Sequence, residues 1–242
     1  MNTYLRRENE RNRGGEVMKL KEYINSTFPG LVLKPSLYYQ WDKSIRFEFA
    51  KGLYQMKEET DELNHSYFHT VYNQAISLFH DLVSAEDKLF FVTNIYQHKN
   101  YGGRSKKKIS VYHHYIKSKD VRFSLKQETL PYMFKEEEEA DDFCTSQFTL
   151  ECRKQDISYP SLIKAICNQD FPSLKPRLSN RYYRYDPDIF FINVTKSIIL
   201  YIFDDRGCEV IARDIDTLRP IYYKYRDLVD ECCLEKVEKQ FK

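Results

Sequence analysis

The chain has 242 residues, 42% of them apolar and 31% charged, and 38 basic against 36 acidic side chains leave a formal charge of only +2 at pH 7. That balance excludes a global field able to draw in nucleic acid or an anionic membrane, so electrostatic recognition has to be local. No apolar run approaches the roughly 20 residues that cross a bilayer, which excludes a membrane-spanning helix, and the length suits one large domain or two small ones hiding about 70% of their unfolded surface.

The first seventeen residues carry Arg6, Arg7, Arg11 and Arg13 without an apolar stretch, so they do not form a secretory signal and are expected to be a disordered arm. Met18, followed by LKEYINSTF, is an alternative translation start, and residues 18–242 are expected to fold as a single domain. Leu20 to Phe28 reads as a short helix stopped by Pro29-Gly30. After the sole tryptophan, Trp41, the residues Ile45, Phe47 and Phe49 alternate with Arg46 and Glu48, the pattern of a strand with one wet face. Between Asp61 and Val83, apolar residues recur at helical spacing (Phe68, Val71, Ala75, Leu78, Phe79, Leu82), predicting the longest amphipathic helix.

A second strand is predicted over Leu89 to Tyr96, followed by a basic loop from Gly102 to Lys108. Ile109 to Ile116 fits a strand or a short helix equally. Val121, Phe123 and Leu125 alternate with polar residues and predict a third strand ending at Pro131. The acidic run from Glu136 to Asp142 is too charged to pack; it reads as a solvated loop and as the one internal point where the chain could divide. Phe148, Leu150 and Cys152 give a fourth strand, and Ser158-Tyr159-Pro160 opens a helix over Leu162 to Cys167, with proline in its first turn.

The fold is organised around the stretch from Asp186 to Asp214. Its three short runs, Ile189 to Val194, Ile198 to Phe203 and Cys208 to Ala212, are rich in β-branched and aromatic residues and predict a three-stranded meander. In the middle run Ile198, Leu200 and Ile202 point one way and Ile199, Tyr201 and Phe203 the other, so both faces need cover and the strand belongs inside a sheet. Asp204-Asp205-Arg206-Gly207 suits a hairpin turn, with Gly207 taking a positive φ at a bulge. A last helix begins near Asp216. Runs of strands interrupted by two or three helices predict an α+β fold with a largely antiparallel sheet.

Candidate chemistry is sparse. His65 and His69 share a helix face, but His80 lies eleven residues on, roughly 16 Å along the axis, leaving two metal ligands at most. Cys144, Cys152, Cys167, Cys208, Cys232 and Cys233 show no CxxC spacing and read as reduced thiols of a cytoplasmic protein. Asp204 and Asp205 beside Glu209 are acidic, yet turn chemistry alone calls for aspartate there. No GxSxG, HExxH or GxxxxGK[ST] pattern occurs, so neither a catalytic residue, a cofactor nor a metal is assigned. The most suggestive segment is Lys175 to Tyr185. In it Lys175, Arg177, Arg181 and Arg184 interleave with Tyr182, Tyr183 and Tyr185, a composition that suits, in this order, a structural loop whose tyrosines cover the sheet edge, an acidic protein surface, and phosphates with stacked bases.

The stretches AICNQDFP (165–172) and IFDDRGCEVIA (202–212), together with QETLPY at Gln127 to Tyr132, resemble a bacterial domain-of-unknown-function family over about Trp41 to Leu228. The resemblance implies a bacterial, cytoplasmic, single-domain protein and transfers no functional residue. The functional expectation is a non-enzymatic protein that binds another macromolecule, in the manner of an immunity protein or antitoxin. A nucleic-acid-associated protein using the 175–185 loop is the alternative, and an enzyme of unrecognised type the third.

Overall fold

The computed structural model describes residues 19–100, 110–138, 140–178 and 186–241. The expected disordered arm and the basic loop around Arg104 to Lys108 lie outside these. Contacts group the chain into two units that divide between Leu31 and Val32. In the first, α1 (Leu20–Thr27) is closed at its C-terminus by the Phe28 N–H donating to the Ile24 carbonyl, just before Pro29-Gly30.

In the second unit, seven strands among the described residues form one sheet in the order β1-β7-β6-β5-β2-β4-β3. They are β1 (Ser44–Glu48), β2 (Leu89–His98), β3 (Lys126–Pro131), β4 (Phe143–Cys152), β5 (Asp188–Asn193), β6 (Ile198–Asp204) and β7 (Gly207–Ala212). Every neighbouring pair is antiparallel, as the α+β expectation requires. The predicted meander is β5-β6-β7, flanked by β1 on one side and β2 on the other.

The helices of this unit are α2 (Leu37–Gln40), α3 (His65–Leu82), α4 (Ser110–Tyr115), α5 (Lys119–Phe123), α6 (Tyr159–Cys167), α7 (Ile215–Lys224) and α8 (Leu234–Phe241). Asn64 caps α3 by accepting from the Tyr67 N–H, and the apolar stripe Phe68, Val71, Ala75, Leu78, Phe79 and Leu82 is buried. Phe79 meets Phe191 of β5 edge to face at 4.9 Å between centroids and stacks on Tyr159 of α6 at 4.7 Å. Burying each such phenylalanine in full contributes about 2–3 kcal/mol. This face of the sheet also takes Ile198, Leu200 and Ile202, the half of the middle strand assigned to one side from its alternation. None of the described helices is long and apolar enough to cross a membrane.

Two expectations need correction. Residues 119–123 form α5 instead of the start of a strand, because Ser118 caps them by accepting from the Val121 N–H; Phe123 is left 84% exposed, and β3 begins only at Lys126. Gly207 does not take a positive φ. The irregularity of the hairpin falls on β6, where Ile202 opposes Cys208 and Asp204 opposes Gly207, so Phe203 is the extra residue. The acidic run joins β3 to β4, which pair from Lys126 opposite Thr149 to Pro131 opposite Cys144. The undecided 109–116 segment is helical over Ser110–Tyr115.

Candidate functional site

Pairing places Asn94 of β2 opposite Asp188, and Phe190 of β5 opposite Tyr201 of β6, so Tyr96, Asp188 and Tyr201 come to one face at one end of the sheet. Asp188 opens β5 directly after Pro187, a proline position that costs no ladder hydrogen bond. Its carboxylate accepts from the Tyr96 hydroxyl at 2.5 Å and from the Tyr201 hydroxyl at 2.8 Å. The clasp forms one wall of a cavity of about 380 Å³. Aromatic rings of Tyr96, Tyr132, Phe134, Tyr201 and Phe203 line it, together with the carboxylates of Glu137, Asp170, Asp186 and Asp188. No lysine, arginine or histidine is among the described lining residues.

Asp188 is enclosed by protein on most sides but keeps some contact with solvent through the cavity. Burial pushes its carboxyl up to about 6, against the opposing effect of the two phenol donors. Burial, followed by the nearby Asp188 charge, drives both phenols well above the ordinary tyrosine range. Asp186 is raised by burial and held back by Arg177. At the rim Glu137 is exposed and accepts from the Tyr132 hydroxyl at 3.0 Å.

Two of the lining rings carry cations of the protein itself. The Lys34 ammonium stands 5.6 Å from the Phe134 centroid while pairing with Glu136 at 3.5 Å, and the Arg46 guanidinium lies 4.7 Å from the Phe203 centroid. Tyr96, Tyr132 and Phe134 meet edge to face, with centroids 5.1–5.8 Å apart and planes inclined by 62–84°. The three rings thus pack on one another as a small aromatic cluster beside the cavity.

Among the acidic residues of the hairpin, Asp204 serves the turn, as expected, and all three are also buried. Asp204, Asp205 and Glu209 are 4%, 3% and 1% exposed, and each has dedicated partners. Asp204 accepts from the Arg206 backbone N–H at 2.7 Å and from its guanidinium; Asp205 accepts from the Tyr67 hydroxyl at 2.8 Å and the Gln55 amide at 3.2 Å. Glu209 pairs with Arg46 at 2.9 Å, and Arg46 also holds Asp230 at 2.9 Å. Asp170, Asp204 and Asp205 bring carboxylate oxygens within 4.8 Å of one another, so the acidic character of the cavity continues to the hairpin.

Of the sequence-predicted binding residues, Lys175 is exposed and Arg177 half-buried. Arg177 turns inward, donating to the Gln169 carbonyl at 3.4 Å and facing Asp186, instead of presenting its guanidinium outward. Arg181, Tyr182, Tyr183, Arg184 and Tyr185 lie outside the described residues. His65, His69 and His80 are exposed, and none belongs to a metal-ligand cluster among the described residues. All six cysteines are free thiols, five buried and Cys232 exposed. The sequence reading missed Asp188, Tyr96 and Tyr201 as a group, since 92 residues separate Tyr96 from Asp188. The one local signal was an aspartate opening an otherwise apolar strand.

Residues 20–233 match the family described as "Domain of unknown function (DUF3885)", and the chain belongs to it. The match begins and ends somewhat beyond the stretches that carry the resemblance in the sequence. The chain is also similar to "Uncharacterized protein YnaE" of Bacillus subtilis (strain 168), with 41% identity over 214 residues covering 88% of this chain and 98% of that protein. No solved structure matches.

Proposed function

We propose that the protein acts by binding, without catalysis, and that its partner is another protein with a basic surface. The observation that carries this reading is the charge of the cavity, where Glu137, Asp170, Asp186 and Asp188 converge without a lysine or arginine among the described lining residues. Glu138, exposed beside Glu137 in the chain, adds to the same sign of potential, while Glu136 is paired with Lys34. Such a face repels phosphate, which sets nucleic acid second. Catalysis ranks lower still: both oxygens of the one carboxylate with a clearly matched environment, Asp188, are engaged by phenols, and no histidine or cysteine lines the cavity among the described residues. An immunity- or antitoxin-like role fits this class, because an acidic face can cover a cationic one. We read the protein as cytoplasmic, where its free thiols stay reduced.

The test is retention of bacterial proteins on the immobilised chain, compared with a Glu137→Gln, Asp170→Asn, Asp186→Asn variant. The expected outcome is a retained set skewed to high isoelectric point, released by moderate salt and depleted on the variant. Equal retention of acidic and basic proteins by both forms overturns the reading.

A further inference from the structure

We infer that the cavity bounded by Tyr96, Tyr132, Tyr201 and Asp188 is a receptor for an organic cation, the side chain of a lysine or arginine presented by the partner. The inference rests on the protein-binding reading and specifies what that reading leaves open, the group that is recognised. Three observations converge on it. The volume of about 380 Å³ lies in the range of small-ligand sites and accommodates a four-carbon stem with its charged head. Five aromatic residues, Tyr96, Tyr132, Phe134, Tyr201 and Phe203, are among the lining, and a cation over an aromatic face is attracted by the ring quadrupole. The same aromatic wall already binds cations, since Lys34 and Arg46 sit against Phe134 and Phe203.

A hard divalent metal fits less well. Asp188 belongs to no set of three ligand groups within 4.8 Å among the described residues, and both its oxygens accept phenol hydrogen bonds, so the donors needed to replace a hydration shell do not converge. A diffuse organic cation needs only one counter-charge and apolar walls. Asp188 supplies the first at the back of the cavity and the tyrosines supply the second.

The charged and titratable groups facing Asp188 are the Tyr96 phenol from β2 and the Tyr201 phenol from β6. Asp170 and Asp186 lie further along the wall and Glu137 at the rim, while Lys34 and Arg177 are held outside the lining by Glu136 and by the Gln169 carbonyl with Asp186. Among the described lining residues, the ionisable groups an incoming ammonium or guanidinium meets are carboxylates and phenols. Its binding requires the ionised carboxylate and weakens as the pH falls below the Asp188 value of about 6.

The probes are n-butylammonium and n-butylguanidinium, titrated into the full chain by ligand-observed NMR, with n-butanol and butyrate as neutral and anionic controls. The expected result is saturable binding of the cations alone, weakened at least tenfold in Asp188→Asn. Should that variant fail to fold, Glu137→Gln with Asp186→Asn provides the same comparison, with a smaller weakening of two- to fivefold. Equal binding of butanol would mean a merely apolar cavity and overturns the inference, as does the absence of saturable binding by either cation. If the cations fail while basic proteins are still retained in a Glu137-, Asp170- and Asp186-dependent way, the binding reading stands without this site. If both fail, the acidic end is not a recognition surface.

Discussion

The backbone carbonyl oxygen of Phe47 stands 2.1 Å from the point a Cβ on Gly207 would occupy. Phe47 lies opposite Cys208 in the pairing of β1 with β7, so the approach is between two main chains and neither can swing aside as a side chain would. Gly207 is required by closeness, not by a left-handed φ.

Gly207→Ala should consequently destabilise the fold by about 3 kcal/mol, the upper part of the overpacking range, because strands β1 and β7 must part to admit the methyl group. Gly207→Asn separates the two explanations, since asparagine tolerates positive φ while still carrying a Cβ. Chemical denaturation should find it at least as damaging as alanine, and a near-wild-type asparagine variant would restore the conformational explanation.

Much of the fold was legible where apolar periodicity was strong and local. The three runs of the meander and the stripe of α3 each report their own burial. The signal failed where alternation was present without a sheet to use it: Val121, Phe123 and Leu125 alternate, yet Ser118 caps a helical turn over them. The true edge strand, KQETLP, shows no alternation because it is exposed along nearly its whole length, with charges and a proline that suit an edge. The candidate site was less legible still. Its aspartate and tyrosines come from three strands, and nothing in the local sequence of Tyr96 announces a partner 92 residues away. The hairpin acids were legible in part: turn propensity accounts for aspartate at 204, which accepts from the Arg206 N–H, but is silent on Tyr67 and Gln55, which donate to Asp205.

The pairing of Arg46 with Glu209 gives the next prediction. Glu209 is 1% exposed; burial raises its pKa and Arg46 opposes that rise. Arg46→Ala leaves the carboxylate without its charge partner and should cost about 2–3 kcal/mol, below the full range for a buried pair because the guanidinium side is partly screened by solvent. Arg46→Met with Glu209→Gln removes both charges at similar volume. Its denaturation midpoint should recover at least half the loss, and a double variant no better than the single would mean that the arginine acts through packing alone.

Asp188 makes stability depend on pH in an identifiable direction. Its folded value of about 6 lies above the unfolded value of about 3.9, so the folded state favours the protonated form. Its stabilising contribution is fully present below the unfolded value and is lost as the pH rises through about 6. That difference corresponds to about 3 kcal/mol at most, reduced by the solvent that reaches the carboxylate through the cavity. Asp81, Asp87 and Asp230 have depressed values and work the opposite way, losing stability as the pH falls through their folded range. Comparison with Asp188→Asn isolates the one group: the variant should melt higher than the wild type at pH 7.5, and the gap should narrow as the pH falls through about 6 and close only below about 3.9. A gap that widens on acidification would reverse the assigned sign.

Nucleic acid, the second candidate partner, leaves a signature in the salt dependence of binding. Binding that neutralises phosphates releases counterions, so the logarithm of affinity falls with the logarithm of salt by roughly 0.7–0.9 per contact. The chain's net charge is only +2, Arg177 is turned inward to Gln169 and Asp186, and the acidic cavity adjoins the same segment. Titration of the wild type with generic single- and double-stranded oligonucleotides at physiological salt should therefore show at most weak binding with a shallow slope. Replacing Lys175, Arg177, Arg181 and Arg184 with alanine should leave that weak binding nearly unchanged, because few phosphates were neutralised to begin with. Were the segment a single-strand platform, Tyr182, Tyr183 and Tyr185 would add stacking worth about 1–3 kcal/mol per base, and the four-residue variant would flatten the slope by up to about 3. Submicromolar, salt-steep binding that collapses in this variant would promote nucleic acid over a basic protein partner, whatever the cavity does with small cations.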